Sequence, residues 1–292
     1  MKKSDPLSEK LFYIVILFVC VFVIIITLYP MLYTFSNSIS NPYEVARKSV
    51  WLYPKGFSLT AYKYTLQNPN IFNYYFNSVF YAVVSVIFNL TLTMLLAYPL
   101  SRSNFVFRKS VSVFMIISMF FSGSMIPLFI IVKELGMYNS RWSMIIPAAM
   151  SVYNVIITRA FIKSNVHESL IESASIDGAN DFYILWKIVT PLCKPILAVI
   201  SLFVAVGRWN SYLDALLYLP RQDLQPIQMY LRRIMLTDST EAVAGTFGSD
   251  MYLIGTQMKY SVVIVTMLPI MMVYPFLQKY FVKGISMGAV KG

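Results

Sequence analysis

Leu11-Phe-Tyr-Ile-Val-Ile-Leu-Phe-Val-Cys20-Val-Phe-Val-Ile-Ile-Ile-Thr-Leu-Tyr-Pro30-Met-Leu-Tyr-Thr-Phe35 runs for 25 positions without a charged residue or a histidine. At 1.5 Å of rise per residue, such a run is long enough to cross a hydrocarbon layer about 30 Å thick as a helix. Four more stretches share its character, at 76–100, 111–132, 142–158 and 260–278. A sixth, 196–219, has the same length but carries Arg208 and Asp214. Charged residues edge these runs: Lys10, Arg102, Lys133, Arg141, Arg159, Lys259 and Lys279. Apolar segments end where water begins, so the pattern predicts about six transmembrane helices in a single all-α membrane domain covering 1–292.

The whole composition agrees, with 58% hydrophobic and 13% charged residues in 292 positions, too apolar for an ordinary soluble domain. A membrane β-barrel would instead read as alternating strands of about 10 residues, and these runs do not alternate. Continuous apolar runs satisfy their backbone hydrogen bonds internally as helices. Lys2, Lys3 and Lys10 ahead of the first run imitate a secretory signal. The run is too long for one and no small-x-small cleavage site follows, so an uncleaved first helix is expected. Cys20 lies mid-helix and Cys193 in a polar connection, which indicates no disulfide framework.

The formal net charge of +11 does not point to nucleic acid, because the cations are spread among connections with no basic face of interleaved aromatics. Membrane topology accounts for them better. An even number of helices puts both termini on one side, and that side carries the larger share of Lys and Arg, so cytoplasmic termini are expected.

Three connections are long: 36–75 and 220–259 on the outer side and 159–195 on the inner side. The inner one reads Ser164-Asn-Val-His-Glu-Ser-Leu-Ile-Glu-Ser-Ala-Ser-Ile-Asp-Gly-Ala-Asn-Asp-Phe-Tyr-Ile-Leu-Trp-Lys-Ile-Val-Thr-Pro191. Asn165 and Glu168 have capping-box spacing. Gly178 stands where a helix would stop in a left-handed conformation. Asn180 or Asp181 is suited to cap a second short helix running to Pro191. On the first helix Val166, Leu170 and Ala174 share one face, while Glu168 and Glu172 share another at i, i+4 spacing. A short amphipathic helix held out by a turn is a docking element for another protein.

Within this connection Glu172, Ser173, Ala174, then Gly178 after three residues, Ile188 after nine more, and Thr190-Pro191 after one more closely resemble the Glu-Ala-Ala loop of ABC importer permeases. Ser173 replaces an alanine and Thr190 a leucine of that pattern. Asp177 and Ala179 flanking Gly178, and Phe182, resemble the sugar-importer form. Trp209-Asn210 and the ending Gly284-Ile-Ser-Met-Gly288 are similar to carbohydrate permeases of the MalG type, nearest the LplC/YtcP group, which the region around Pro42-Tyr43-Glu44 and Tyr230-Leu-Arg-Arg233 also resembles. The resemblance covers most of the chain and implies a type I importer permease fold. It implies that 159–195 is a cytoplasmic coupling loop and that Glu168, Glu172, Ser173, Ala174, Asp177, Gly178, Ala179, Ile188 and Pro191 engage an ATPase subunit.

No Gly-x-x-x-x-Gly-Lys-Ser/Thr loop occurs in the sequence, so ATP and Mg are expected on the partner ATPase, with no cofactor and no catalytic residue here. His167 is the sole histidine and lacks metal-ligand spacing to Cys or paired carboxylates; no metal site is expected. A charge at a membrane-helix centre costs roughly 2.5–3.5 kcal/mol. Arg208, with Trp209, Asn210 and Tyr212 beside it, is therefore a candidate for the translocation path. The bland alternative is that Arg208 and Asp214 reach an interface.

The outer connection contains Gly245-Thr246-Phe247-Gly248, small and glycine-rich, and the resemblance makes this a candidate contact with an extracytoplasmic solute-binding protein. The expected assembly adds a second homologous permease, two cytoplasmic ATPase subunits, membrane lipid and a saccharide cargo in a bacterial plasma membrane. Two alternatives stay open on the residues: an ABC permease for peptides or polyamines, and an ion-coupled secondary transporter, for which only Asp214 offers an intramembrane carboxylate.

Overall fold

The computed structural model describes residues 7–121, 123–236 and 249–289, with side chains over 9–121, 123–236 and 252–275. Helices dominate, and among the described residues the only β pairing is an isolated antiparallel bridge between Ser40 and Phe57. Among the described residues three helices are long and apolar enough to cross a membrane by length and composition: Glu9–Ser38, Ile71–Ser101 and Tyr252–Pro275. Counting each of three bent helix pairs as one span brings the number to six.

The breaks fall inside the apolar runs. The charge-free run at 111–132, expected as one span, is two helices, Arg108–Phe120 and Met125–Glu134, separated in sequence by Phe121-Ser-Gly-Ser124. Hydropathy is blind to such a break. In the fourth run a turn of 3-10 helix at Ile146–Ala148 contains Pro147, and Val152–Asn165 restarts at an angle of 50°. Ser151 caps the restart by accepting from the Asn154 amide at 3.4 Å. The run at 196–219 divides into Lys194–Trp209 and Tyr212–Tyr218.

The described residues fall in two units, one within Met1–Ile71 and Leu231–Leu268, the other within Phe72–Tyr230 and Pro269–Gly292. In the first unit the long helix Leu7–Ser38 exposes its apolar side chains along most of its length and buries Ser36, Asn37 and Ser38 at its end. The connection after it is ordered into short helices Pro42–Ala46 and Thr60–Leu66. Gln257 ties it down: its side-chain amide nitrogen donates to the carbonyls of Ser38, Ser40 and Ser58 at 3.0, 2.7 and 3.1 Å. Thr65 and Ser261 hydroxyls meet at 3.1 Å.

In the second unit a polar knot ties the start of the long helix Ile71–Ser101 to residues 223–227. The Asn77 amide donates to the Asp223 and Gln225 carbonyls at 2.7 and 3.2 Å, Tyr81 donates to the Leu224 carbonyl at 2.7 Å, and Ser78 accepts from the Ile227 amide at 2.8 Å. Arg141 donates to Asn77 at 3.2 Å and lies 4.9 Å over the Phe80 ring, a cation–π contact. Beside the knot the exposed Asp223 carboxyl is held below its ordinary range by the two-pronged hydrogen bond from Arg221. Deeper in the helices, buried Asn154 donates to Asn89 at 3.0 Å, the kind of side-chain bond that joins helices where lipid offers no competing partner.

Candidate functional site

The inner connection folds as a helix, a sharp turn and a second helix, and each part has a local cause. Val166 and His167 are extended. The helix Glu168–Ile176 then begins at His167 with no side-chain cap. The expected Asn165–Glu168 capping box is not formed. Val152–Asn165 runs about two turns further than the apolar pattern indicates, and the Asn165 amide is spent on the Phe161 carbonyl at 3.0 Å and on Ser164 at 2.7 Å.

At the other end, Ala179 N–H donates to the Ala174 carbonyl at 2.9 Å and Gly178 N–H to the Ser175 carbonyl at 3.1 Å. These two bonds make a Schellman motif, which needs a left-handed residue at its corner. Gly178 supplies it at φ +83°, with open space where a Cβ would lie. Asn180 starts the next helix by accepting from the Tyr183 amide at 2.8 Å. Asp181–Tyr183 leads into a π-helical turn at Ile184–Val189 and then Thr190–Leu192, after which Lys194–Trp209 departs at 82°. Thr190 donates across the widened turn to the Leu185 carbonyl at 2.7 Å.

One face of this element is sunk in a core. Val166, Ile171, Ile184, Leu185 and Val189 are buried with Met94, Ala97 and Leu100 of Ile71–Ser101, with Met115, and with Val155 and Ile162 of Val152–Asn165; Ala174, Ala179 and Ile188 pack partly against them. Leu170, expected beside Val166 and Ala174, is exposed, and Ile171 takes its place. The opposite side is apolar but uncovered: Ile176 is 86% exposed and Phe182 69%. Glu172, Ser173, Asp177, Gly178 and Pro191 lie on exposed ground, and Ser173 donates back to the Ser169 carbonyl at 2.8 Å. Glu168 pairs with Arg102 at 3.7 Å and accepts from Ser103 at 3.1 Å.

A second group gathers around the break at Asn210-Ser211, at the far end of Lys194–Trp209, about 24 Å away along a 16-residue helix. Arg208 donates to Asp214 and to the Met144 carbonyl, both at 3.1 Å. The two charges that looked separate along the sequence are thus one ion pair bridging the break. Trp209 is buried, 6.3 Å from the Tyr75 ring centroid, and lines an apolar cavity of about 590 Å³ with Phe203, Val206, Ile270 and Tyr274. Asn210 and Tyr212 are exposed, and Asn210 accepts from Gln228 at 3.3 Å. Of the four residues expected on a path, Asn210 and Tyr212 are the exposed ones.

Gly245, Thr246, Phe247 and Gly248 lie outside the described residues. Among the described residues no three of His, Cys, Asp or Glu gather as metal ligands. Hydropathy does not single out Asn77, and Arg141 reads along the sequence as a boundary marker; Asn77, Ser78 and Tyr81 near the head of a long helix are the sequence signal for the knot.

Residues 89–287 match the family described as "Binding-protein-dependent transport system inner membrane component". The chain is 38% identical over 267 residues to "Protein LplC" of Bacillus subtilis (strain 168), covering 91% of this chain and 90% of that one. It is 40% identical over 276 residues to "Polygalacturonan/rhamnogalacturonan transport system permease protein YtcP" of the same organism, covering 94% and 96%. Its structure is similar, at a TM-score of 0.86 and 30% identity over 96% of this chain and all of the other, to a chain of "a bacterial ABC transporter involved in the import of the acidic polysaccharide alginate".

Proposed function

Because the chain belongs to the family of binding-protein-dependent transport system inner membrane components, and so is a multi-pass membrane component of a transport system, we propose that it is a pore-forming permease subunit of an ATP-driven saccharide importer. The observation that carries this reading is the helix–turn–helix at 166–191, buried on one face in the ends of the membrane helices and exposing Ile176 and Phe182 on the other. Exposed apolar residues rimmed by Glu172 and Asp177 suit a protein partner.

That partner is a cytoplasmic ATPase subunit, present twice, which binds ATP and Mg; the second copy docks on a homologous permease. Closure of the ATPase pair moves the 166–191 elements and alternates access through the pore between the two permeases. The reading places both termini in the cytoplasm, Asn210 and Tyr212 on the path, and 245–248 against an extracytoplasmic binding protein. A saccharide cargo is favoured over a peptide or polyamine because the relatives named above include carriers of polygalacturonan/rhamnogalacturonan and alginate; oligosaccharides of that kind are the first cargo to try. An ion-coupled mechanism loses its single candidate carboxylate, since Asp214 is engaged by Arg208.

The test is copurification and uptake. The tagged chain, solubilised gently from its own membrane, is expected to carry an ATPase and a second permease, and vesicles holding that complex are expected to accumulate oligosaccharide only with ATP and the binding protein. Recovery of the chain without an ATPase, or uptake driven by an ion gradient alone, overturns the proposal.

A further inference from the structure

Three helix ends meet beside the docking helix: the end of Ile71–Ser101, the start of Arg108–Phe120 and the end of Val152–Asn165. Between them lies a cavity of about 340 Å³. Its floor is rigid, built on buried Ile162, Val166 and Ile171. Its walls are cationic: Arg102, Arg108 and Lys163 line it, beside Ser103 and Ser164, whose hydroxyls donate to Glu168 and to the Phe161 carbonyl. Glu168 is the one carboxylate in the lining, and Arg102 and Ser103 already engage it at 3.7 and 3.1 Å. Arg108 is steadied by donating to the Arg102 carbonyl at 3.4 Å. Gathering three cations around one small space against a single carboxylate is repulsive unless an anion enters.

The level of the cavity indicates which anion. It sits where three apolar helices stop, and the residues leading into Arg108 are apolar and uncovered, Val106 at 87% and Phe107 at 64% exposure. Phe114, six residues past Arg108 on the same helix, is 71% exposed. Outside the cavity lining, Val106, Phe107 and Phe114 give the segment that carries Arg108 an exposed apolar wall; cations beside such a wall suit the two halves of a phospholipid, headgroup and acyl chain, and basic pockets between membrane helices on the cytoplasmic side are suited to anionic headgroups. A free phosphate would use the cations but not the wall.

We propose that this cavity holds the phosphate-bearing headgroup of an anionic phospholipid, seated against His167 and Glu168 at the start of the docking helix. The lipid would neutralise Arg108 and Lys163 and hold the helix start in place, so that the charge of the surrounding leaflet sets how firmly the docking element is presented. Nothing in this depends on the cargo.

The experiment uses the full chain in its assembled complex, reconstituted in phosphatidylcholine membranes with graded phosphatidylglycerol, extracted in mild detergent and weighed intact to count retained lipid. The unaltered complex is expected to retain phosphatidylglycerol in preference to phosphatidylcholine. Arg108→Gln combined with Lys163→Gln is expected to weaken that retention about 25-fold, at roughly fivefold per removed charge, while Lys109→Gln, outside the lining, leaves it unchanged. Lys163→Gln alone, at an exposed side chain, still reports about fivefold if the double variant fails to assemble. Equal retention in variant and unaltered complex overturns the proposal. Displacement of the lipid by millimolar inorganic phosphate assigns the site to a soluble anion and overturns it too. Loss of the ATPase subunit from the double variant in pure phosphatidylcholine makes the pocket a protein contact and likewise overturns the lipid site.

Discussion

Gly178 carries more of the proposed coupling than any other single residue, and its role is purely conformational. A Cβ there meets no atom within 4 Å, so substitution costs only the left-handed backbone, about 1–2 kcal/mol for a side chain in general and more for a β-branched one. Gly178→Val is therefore expected to weaken ATPase docking on the order of tenfold while the helices still insert, whereas Gly178→Asn, which tolerates positive φ, loses little. Titrating ATPase subunits onto the reconstituted variants measures this, and equal affinity for Val and Gly removes the turn from the argument. The Arg208–Asp214 pair makes a different kind of prediction. With side chains 18% and 37% exposed, it lies between an open pair worth ~0–1 kcal/mol and a buried one whose breakage costs ~3–5. Asp214→Leu alone is expected to destabilise by roughly 1–2 kcal/mol, and adding Arg208→Met is expected to recover part of it, because the stranded cation has gone. Thermal unfolding in detergent across the double-mutant cycle reads this; strict additivity would mean the two side chains ignore each other.

Elements divide into those whose cause is local and those whose cause is distant. The turn at Gly178 and the cap at Asn180 were legible because a left-handed corner and a side-chain cap depend on residues within a few positions of each other. The apolar runs were legible because lipid imposes one length on every crossing. Breaks inside the runs were not, since Phe121-Ser-Gly-Ser124 and Asn210-Ser211 carry no charge and do not interrupt a hydropathy window. The exchange of Leu170 for Ile171 on the buried face follows from where the helix starts: Val166 is extended and outside it, so it does not share a helical face with Leu170, and Ile171 and Ala174, three apart, take the buried side. Around Asn210 the same limit applied, for adjacency in sequence made Trp209, Asn210 and Tyr212 one group while the helix end turns Trp209 inward. Cysteines at 210 and 212 are accordingly expected to react with water-soluble thiol reagents in at least one nucleotide state of the complex, and a cysteine at 209 to stay protected. Reaction at 209 alone would place the path on the other side of the helix.

For the whole molecule, two connections are each held by polar contacts within their own unit. Residues 36–75 form a fixed structure clamped by Gln257, and 219–230 form the knot around Asn77. Beyond the knot comes the glycine-rich stretch proposed to meet the binding protein, and removing residues 245–248 is expected to leave ATPase copurification intact while slowing uptake from loaded binding protein severalfold; normal uptake would reduce the stretch to a tether. The long Ile71–Ser101 helix joins the knot at one end to Arg102 at the other. From Asn77 to Arg102 is 25 residues, about 37 Å of helix at 1.5 Å each, set against a hydrocarbon slab of about 30 Å. A rod longer than the slab it crosses must lean, or the slab must swell around it. Its two polar ends fix which part has to fit, so the transporter is in effect a gauge of bilayer thickness. Uptake in phosphatidylcholines of increasing chain length is expected to rise toward the thicker membranes and fall in the thinnest, where the rod has to tilt furthest and drags the docking helix at its inner end out of line.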